Sequence, residues 1–429
     1  MNAHDGERIR GLLESSGLGE APSQDEADVV VFNTCTIREK ADDRFVSHLM
    51  QARAAKERDP SRVIVVGGCW SESMKDRLFE LYPFVDLAFG PGNISRLGDF
   101  VRAGGEVPQG NFSTFDEFSG DLPMRRERPF QAWLQISQGC NSTCSYCIVP
   151  SVRGREQSRP LETLLCDAHR LAAEGVRELT LLGQNVNSWG RDLPAGERIG
   201  FGGLLRELDR VPGIARIRYT SPHPKDMRDD VIAAHRECET VCEHVHLPLQ
   251  SGSTRILRAM RRTYSQERFV ALARKLRDEV PGVALTTDII VGFPGETEAD
   301  FADTLAVCEE VRFDHAFTFG YSIRRGTDAA SMPDQVPEDV RRERMTRLVA
   351  VVQDGARRRN EALIGSLQEV LVEGPSRTDP QHARGRTRSN KTAIVQGGAA
   401  PGTFVQIRVE GATSQTLRGV AFAPVPAAV

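Results

Sequence analysis

Three rhythms of apolar and polar residues follow one another along the chain. At the front, a helical pattern over residues 6–16 gives way to the apolar run Asp28-Val29-Val30-Val31-Phe32-Asn33. A long amphipathic segment over 39–58 and a second apolar run, Arg62-Val63-Ile64-Val65-Val66, come next. Apolar runs of this length, bounded by polar residues, predict buried strands of an α/β layer. Between about 130 and 325, six strand-like runs recur at 131–136, 178–182, 214–220, 244–248, 284–291 and 315–320. Helical stripes separate them, such as Leu161, Leu164, Leu165, Ala168, Leu171 and Ala172, or Phe301, Leu305, Cys308 and Val311. Six βα units predict a parallel sheet with crossover helices. Six is fewer than the eight strands of a closed barrel, so a partial barrel open along one side is expected. The Gly-, Pro- and Ser-containing stretch 101–128 reads as a linker. A charged helix over 337–362 leads to the third rhythm, two-residue alternation over 367–372 and 403–409 among many glycines. That pattern predicts a small β-barrel.

The 429 residues suit two or three domains. A net charge of −4 gives no overall signal for a polyanion, so any nucleic-acid contact has to come from a local patch. No apolar stretch approaches a membrane span and no signal-peptide pattern opens the chain. Nine cysteines without a secretory signal suggest a reducing, cytoplasmic setting in which they stay free or bind metal.

The cysteines change the picture most. Gln138-Gly139-Cys140-Asn141-Ser142-Thr143-Cys144-Ser145-Tyr146-Cys147 follows the strand-like stretch Ala132-Trp133-Leu134-Gln135-Ile136. Three thiolates on one short loop can hold three irons of a [4Fe-4S] cube and leave the fourth open to a small molecule. The tight spacing is against a disulfide framework. A zinc site short of a ligand, or three unrelated thiols, are the plainer readings. Cys35 and Cys69 each lie just past the carboxyl end of an apolar run, the edge where open α/β sheets bind ligands. Either alone reads as a packed core thiol; together they suggest a shared metal site. Cys166, Cys238, Cys242 and Cys308 read as structural. In the tail, Arg384, Arg386, Arg388 and Lys391 fall on one hairpin-like segment, which is either a solvated face or a polyanion contact.

Three further motifs sit at predicted strand ends: Leu182-Gly183-Gln184-Asn185-Val186-Asn187-Ser188, Leu247-Pro248-Leu249-Gln250-Ser251-Gly252-Ser253 and Asp288-Ile289-Ile290-Val291-Gly292-Phe293-Pro294-Gly295-Glu296-Thr297. Behind the C-x3-C-x2-C run and in this order, they resemble the methylthiotransferase branch of the radical S-adenosylmethionine (SAM) enzymes. The resemblance spans nearly the whole chain. It implies a flavodoxin-like N-terminal α/β domain over 1–105, a partial (β/α)6 radical SAM barrel over 126–358, and a TRAM domain, an RNA-binding β-barrel, over 361–424.

Asn33-Thr34-Cys35-Thr36-Ile37-Arg38-Glu39-Lys40-Ala41 and Pro150-Ser151-Val152-Arg153-Gly154-Arg155-Glu156 are similar to the members that act on N6-dimethylallyladenosine in tRNA. The basic segment Tyr321-Ser322-Ile323-Arg324-Arg325-Gly326-Thr327 fits a tRNA better than the ribosomal-protein substrate of the sister branch. The resemblance implies that Cys140, Cys144 and Cys147 ligate the cluster that binds SAM, with Tyr146 near the adenine. Gly183, Gln184, Asn185, Gln250, Ser251, Asp288 and Gly292 become candidates for the SAM or substrate pocket. Each reads equally as turn chemistry or a satisfied polar group at a barrel rim.

The resemblance also implies a second, auxiliary [4Fe-4S] cluster on three N-terminal cysteines. Cys35 and Cys69 match two of them. The third normally precedes a Gln-Met-Asn sequence, and Met1-Asn2-Ala3 looks like that motif entered at its methionine. The auxiliary cluster is therefore in doubt for this sequence, and a start assigned too late is the favoured explanation. The implied partners are a tRNA anticodon stem-loop and an electron donor such as flavodoxin or ferredoxin, with a monomeric enzyme and no membrane. The alternatives are action on threonylcarbamoyladenosine tRNA or on ribosomal protein, or an RNA-binding Fe-S protein inactive in sulfur insertion.

Overall fold

The computed structural model describes residues 1–35, 39–104, 110–112 and 122–424. It divides into two compact units, one of Met1–Glu127, Gln138–Asn141 and Ile148–Glu156, the other of Arg128–Ser137, Ser142–Cys147 and Gln157–Val429.

The first unit is built on a parallel sheet of Val29–Thr34, Val63–Gly68, Leu87–Phe89 and Gly110–Asn111. Its two faces follow from the two-residue period of the second strand. Val65 joins Ile9, Leu12, Phe89 and Leu97 on one side. Ile64 and Val66 join Leu49, Trp70 and Leu78 on the other. The helices Asn2–Ser15 and Ser95–Arg102 cover the first face, and Glu39–Arg58 covers the second. Two expectations change. The first helix starts at Asn2 rather than residue 6, and Asn2 O accepts a hydrogen bond from Asn33 Nδ2 at 2.8 Å. The stretch 101–128 is more than a linker, because Gly110–Asn111 pairs with the third strand; part of it lies outside the described residues. Among the described residues the strands run in sequence order, without the order reversal of a flavodoxin-like sheet.

All six expected core strands are present in the second unit, at Gln131–Gln135, Glu178–Leu182, Arg216–Tyr219, His244–His246, Ala284–Val291 and His315–Gly320. They form two parallel three-stranded sheets joined at a single bridge, Ile217 to Val241. Val245, Leu247, Leu285, Ile289 and Val291 pack outward into one core with the crossover helices. Alternation then gives the opposite face to His244, His246, Thr286, Asp288, His315 and Phe317, which the register brings side by side. Cys238, Cys242 and Cys308 are buried as expected, whereas Cys166 is exposed. It follows Leu164 and Leu165 on the helix Leu161–Ala173, on the turn's solvent side, so it is not a core thiol.

The helix Glu338–Glu361 leads into a closed five-stranded barrel of Leu367–Pro375, Ala383–Thr387, Thr392–Gln396, Phe404–Ala412 and Thr416–Pro424. The barrel docks on the amino ends of the core strands. Arg216, fully buried, ion-pairs with Glu369 at 2.7 Å, lies 3.7 Å from Glu178, and donates to Arg386 O. Arg218 ion-pairs with Glu178 at 3.0 Å and donates to Thr387 O and Arg388 O. Burial alone would raise the Glu178 pKa, but Arg218 and Arg216 outweigh it and hold the carboxyl below its usual range.

Arg216→Ala would leave Glu178 and Glu369 short of a partner in a dry interface, a loss of roughly 3 kcal/mol. The expected result is a lower thermal unfolding midpoint and faster proteolysis between the helix and the barrel, read by calorimetry and limited digestion. A second expectation concerns acid. Burial pushes His235 down to about 4 from an ordinary 6.5, with its Nε2 2.7 Å from the Tyr219 hydroxyl. Below pH 6.5 the unfolded chain takes up this proton while the folded chain stays neutral to about 4. Stability should therefore fall by up to about 1.4 kcal/mol per pH unit through that window. His235→Asn should flatten that slope in urea titrations run between neutral and mildly acidic pH.

Candidate active site

Backbone hydrogen bonds shape each part of the cysteine loop. In the first unit, Cys140 N–H donates to Gly154 O at 3.1 Å. In the second, Cys147 N–H donates to Cys144 O, a tight turn that sets the spacing of that pair. Ser145 fastens the second part of the loop within its own unit. Its N–H and hydroxyl donate to Met260 O and Ala259 O, at the carboxyl end of the helix Thr254–Ala259. Tyr146 enters an apolar cluster of Ile256, Met260, Phe293, Tyr321 and Ala329, its ring 6.5 Å from Phe293. Burial raises its hydroxyl pKa well above the ordinary range.

Arg262 completes the loop's surroundings. It follows Arg261, which takes a left-handed turn at φ 57° just past the helix. Its Nη1 donates to Cys144 Sγ at 3.5 Å and its Nε to Tyr264 Oη at 3.0 Å, and its guanidinium lies 5.2 Å from the Tyr264 ring centre. Tyr264 in turn donates to Pro248 O and Leu249 O in the second strand-end motif. Burial opposes the Arg262 charge, but Tyr264, Tyr146 and Cys144 outweigh it, so its pKa rises. Lys225 Nζ reaches Ser142 Oγ of the same loop at 3.4 Å.

Among the described residues no group of three or more His, Cys, Asp or Glu side chains could share a single metal ion. A cube places each cysteine on a different iron, so its thiolates need not converge on one point.

The remaining candidates divide. Gln184 follows the second core strand, and both its side-chain Oε1 and Nε2 are buried with no hydrogen-bond partner among the described residues. A polar ligand would satisfy them. Asn185 donates to Asp226 Oδ2 at 2.8 Å, and Arg191 pairs with the same Asp226. Gly183 abuts Ser137 Oγ, another buried atom with no partner among the described residues. Gln250, at φ 69°, exchanges backbone hydrogen bonds with the strand Ala284–Val291. Ser251 is spent on a turn, its hydroxyl accepting from Ser253 N–H. Gly292 has φ 74° and packs against the stem of Arg341, so its lack of a side chain is explained without a ligand. Asp288 lies inside its strand, not at the end, and its Oδ2 is 3.2 Å from His246 Nε2.

In the first unit, register brings the other two cysteines together. Thr34 pairs with Gly68, the last residues of their strands, so Cys35 and Cys69 follow directly on a paired position, Cys69 as the first residue of the helix Cys69–Met74. Gly68 is at φ 101° and a Cβ there would collide with Thr34 O. Burial raises the Cys69 pKa despite nearby Arg153. Arg153, on the short helix Val149–Arg153, pairs with buried Asp5 at 2.8 Å. His4 Nδ1 and Asn33 Oδ1 are buried there with no hydrogen-bond partner among the described residues.

Two cations of the basic hairpin have partners within the chain. Arg388 ion-pairs with Glu243 at 2.8 Å and Lys391 with Asp314 at 2.6 Å, residues that immediately precede two core strands. These two cations fasten the barrel to the core. Arg384 and Arg386 remain half-buried on its strand. The sequence reading missed Arg262, Arg153 and His246. It also missed exposed Phe422, whose ring lies 5.5 Å from the Arg408 guanidinium. Arg262 sits in Arg261-Arg262-Thr263-Tyr264, which reads as an ordinary charged helix end.

Three family models match the chain: the radical SAM superfamily over 134–308, the uncharacterized protein family UPF0004 over 1–90, and the TRAM domain over 361–422. Named relatives extend across all three. A tRNA-2-methylthio-N(6)-dimethylallyladenosine synthase of Acetivibrio thermocellus is 43% identical over 98% of this chain and 88% of its own. One of Thermobifida fusca is 46% identical over 95% and 84%. The chain belongs to the tRNA-2-methylthio-N(6)-dimethylallyladenosine synthase family. Among solved structures, the radical SAM methyltransferase TsrM of Kitasatospora setae superposes with a TM-score of 0.53 at 16% identity, over 75% of this chain and 66% of that one. At that identity it supports the fold alone. Membership of this synthase family brings SAM and a [4Fe-4S] cluster to the radical SAM domain; the thiols of the cysteine loop, with Arg262 beside Cys144, suit the cluster, and the Gln184 amide, buried without a partner among the described residues, suits a polar ligand. No described helix is long and apolar enough to cross a membrane.

If Arg384 and Arg386 touch phosphates, changing both to Gln should weaken tRNA binding and reduce the log–log salt slope by up to about two. Arg388→Gln with Lys391→Gln should instead lower the unfolding midpoint. Filter binding across a salt series and calorimetry on both variants check this.

Proposed function

We propose that the protein adds a methylthio group to C2 of N6-dimethylallyladenosine in tRNA, beside the anticodon. The observation that carries this is likeness to synthases of that name at 43–46% identity over nearly the full length, across all three domains. The named relatives do not favour a ribosomal-protein substrate. Cys140, Cys144 and Cys147 would hold the cluster, which would supply the electron for reductive cleavage of SAM.

The chain's own groups position and shield. Tyr146, backed by fully buried Phe293, would lie near the adenine of SAM. The Gln184 amide offers a donor and an acceptor to its polar parts. The strand face of His246, Asp288, His315 and Phe317 suits the target base, since Phe317 is 47% exposed and its ring lies 4.8 Å from His315. An exposed aromatic among hydrogen-bonding groups stacks a flat base and reads its edge. Burial, ahead of Arg386 and His246, lowers the His315 pKa, which keeps this face from gathering positive charge.

Cys35 and Cys69 would supply two of the three thiolates of the auxiliary cluster that the resemblance implies, and Arg153 stands beside Cys69, where it would offset thiolate charge. A small electron-transfer protein of the flavodoxin or ferredoxin class is the proposed reductant, and the monomer in the cytoplasm the proposed working form.

Cys144→Ala should reduce SAM cleavage to background in anaerobically reconstituted protein and remove one cluster's iron. It should also fail to restore the methylthio nucleoside in a strain lacking the gene, measured by mass spectrometry of tRNA digests. A variant that kept both iron and cleavage would overturn the assignment of this loop.

A further inference from the structure

Among the described residues, buried Arg153 and Arg262 each hydrogen-bond to a cysteine sulfur, and Arg262 is itself held in place by further bonds. We infer that Arg262 is a positioning residue for the SAM-binding cluster that raises the cluster's reduction potential by donating a charged hydrogen bond to Cys144. The inference rests on the loop reading given under the proposed function.

The geometry is specific. The guanidinium is pinned at one edge by the Tyr264 hydroxyl and delivers another N–H to Cys144 Sγ. Tyr264 cannot swing away, because its own proton is shared between two carbonyls of the Leu247-to-Ser253 motif. The loop cannot drift either, since Ser145 is tied through backbone and side chain to the two residues just before Arg261. The distance between this cation and the ligand sulfur is therefore set by the fold and not by a flexible side chain. Arg262 is 9% exposed, so water screens it little.

Reduction adds one negative charge to the cube and its thiolates. A fixed cation and an N–H bond to a ligand sulfur both stabilise that form over the oxidised one, and both raise the potential. Lysine would keep the charge. It has a single head group, so it cannot hold Tyr264 and Cys144 together in the arginine's fork geometry. The electron itself comes from the external donor, and Arg262 changes only how readily it is accepted.

The test is an anaerobic redox titration of the full chain, following the part of the reduced-cluster EPR signal that changes on adding SAM, with iron quantified for every sample. Arg262→Gln should keep its iron and accept an electron about tenfold less readily at a given potential, a shift of ~59 mV downward for a one-electron couple. Arg262→Lys should shift in the same direction by about threefold, since charge remains and the oriented bond is lost. A wild-type potential in Arg262→Gln overturns the inference and leaves the proposed function standing. If Arg262→Gln fails to assemble its cluster, Arg262→Lys decides: a lowered potential supports the inference and an unchanged one overturns it. A wild-type chain with no SAM-sensitive signal removes the reading of the loop, and this inference with it.

Discussion

A buried charge network at the amino ends of the core strands governs the arrangement of the second unit. Glu178 is the first residue of one strand, and Arg216 the first of the next. Taking these ions out of water is unfavourable unless each finds a partner. The C-terminal barrel supplies the missing partners: the Glu369 carboxylate and three backbone carbonyls of the hairpin. Arg388 and Lys391 answer in the other direction, reaching Glu243 and Asp314 on the core. Charges thus cross the contact both ways. Gln184 and Gly292 lie at the opposite, carboxyl ends of the strands.

The cysteine loop has a different kind of support. Little in its own sequence would hold it still, since it lacks regular structure between Asn141 and Cys147. Its rigidity is borrowed from the end of the helix Thr254–Ala259, through Ser145 and Arg262. The helix end has carbonyls to spare, and the serine beside Cys144 is a suitable donor for them. One short helix therefore links the cysteine loop to the strand-end motif that precedes it.

Much of this was legible in the residues because periodicity is local. The six core strands and the helix ending at Arg58 fall where the apolar pattern places them. Cys166 went astray because a helix stripe drawn over leucines at 164 and 165 says little about the residue just beyond them. The basic hairpin was readable as charge but not as partnership. Glu243 and Asp314 stand 145 and 77 residues away from Arg388 and Lys391, and nothing in the local pattern pairs them. Arg262 was hidden for the same reason, being 118 residues from Cys144.

The pairing of Thr34 with Gly68 has a consequence for how the N-terminal thiol pair can change over time. The two cysteines are neighbours because of strand offset alone, and a helix of 20 residues lies in the chain between them. Loop closure is only weakly sensitive to length. Insertions and deletions around that helix are thus free to accumulate without separating the sulfurs. A single residue gained or lost inside either strand would turn one thiol to the opposite face of the sheet. The site is encoded as an alignment of two strands, not as a spacing along the sequence.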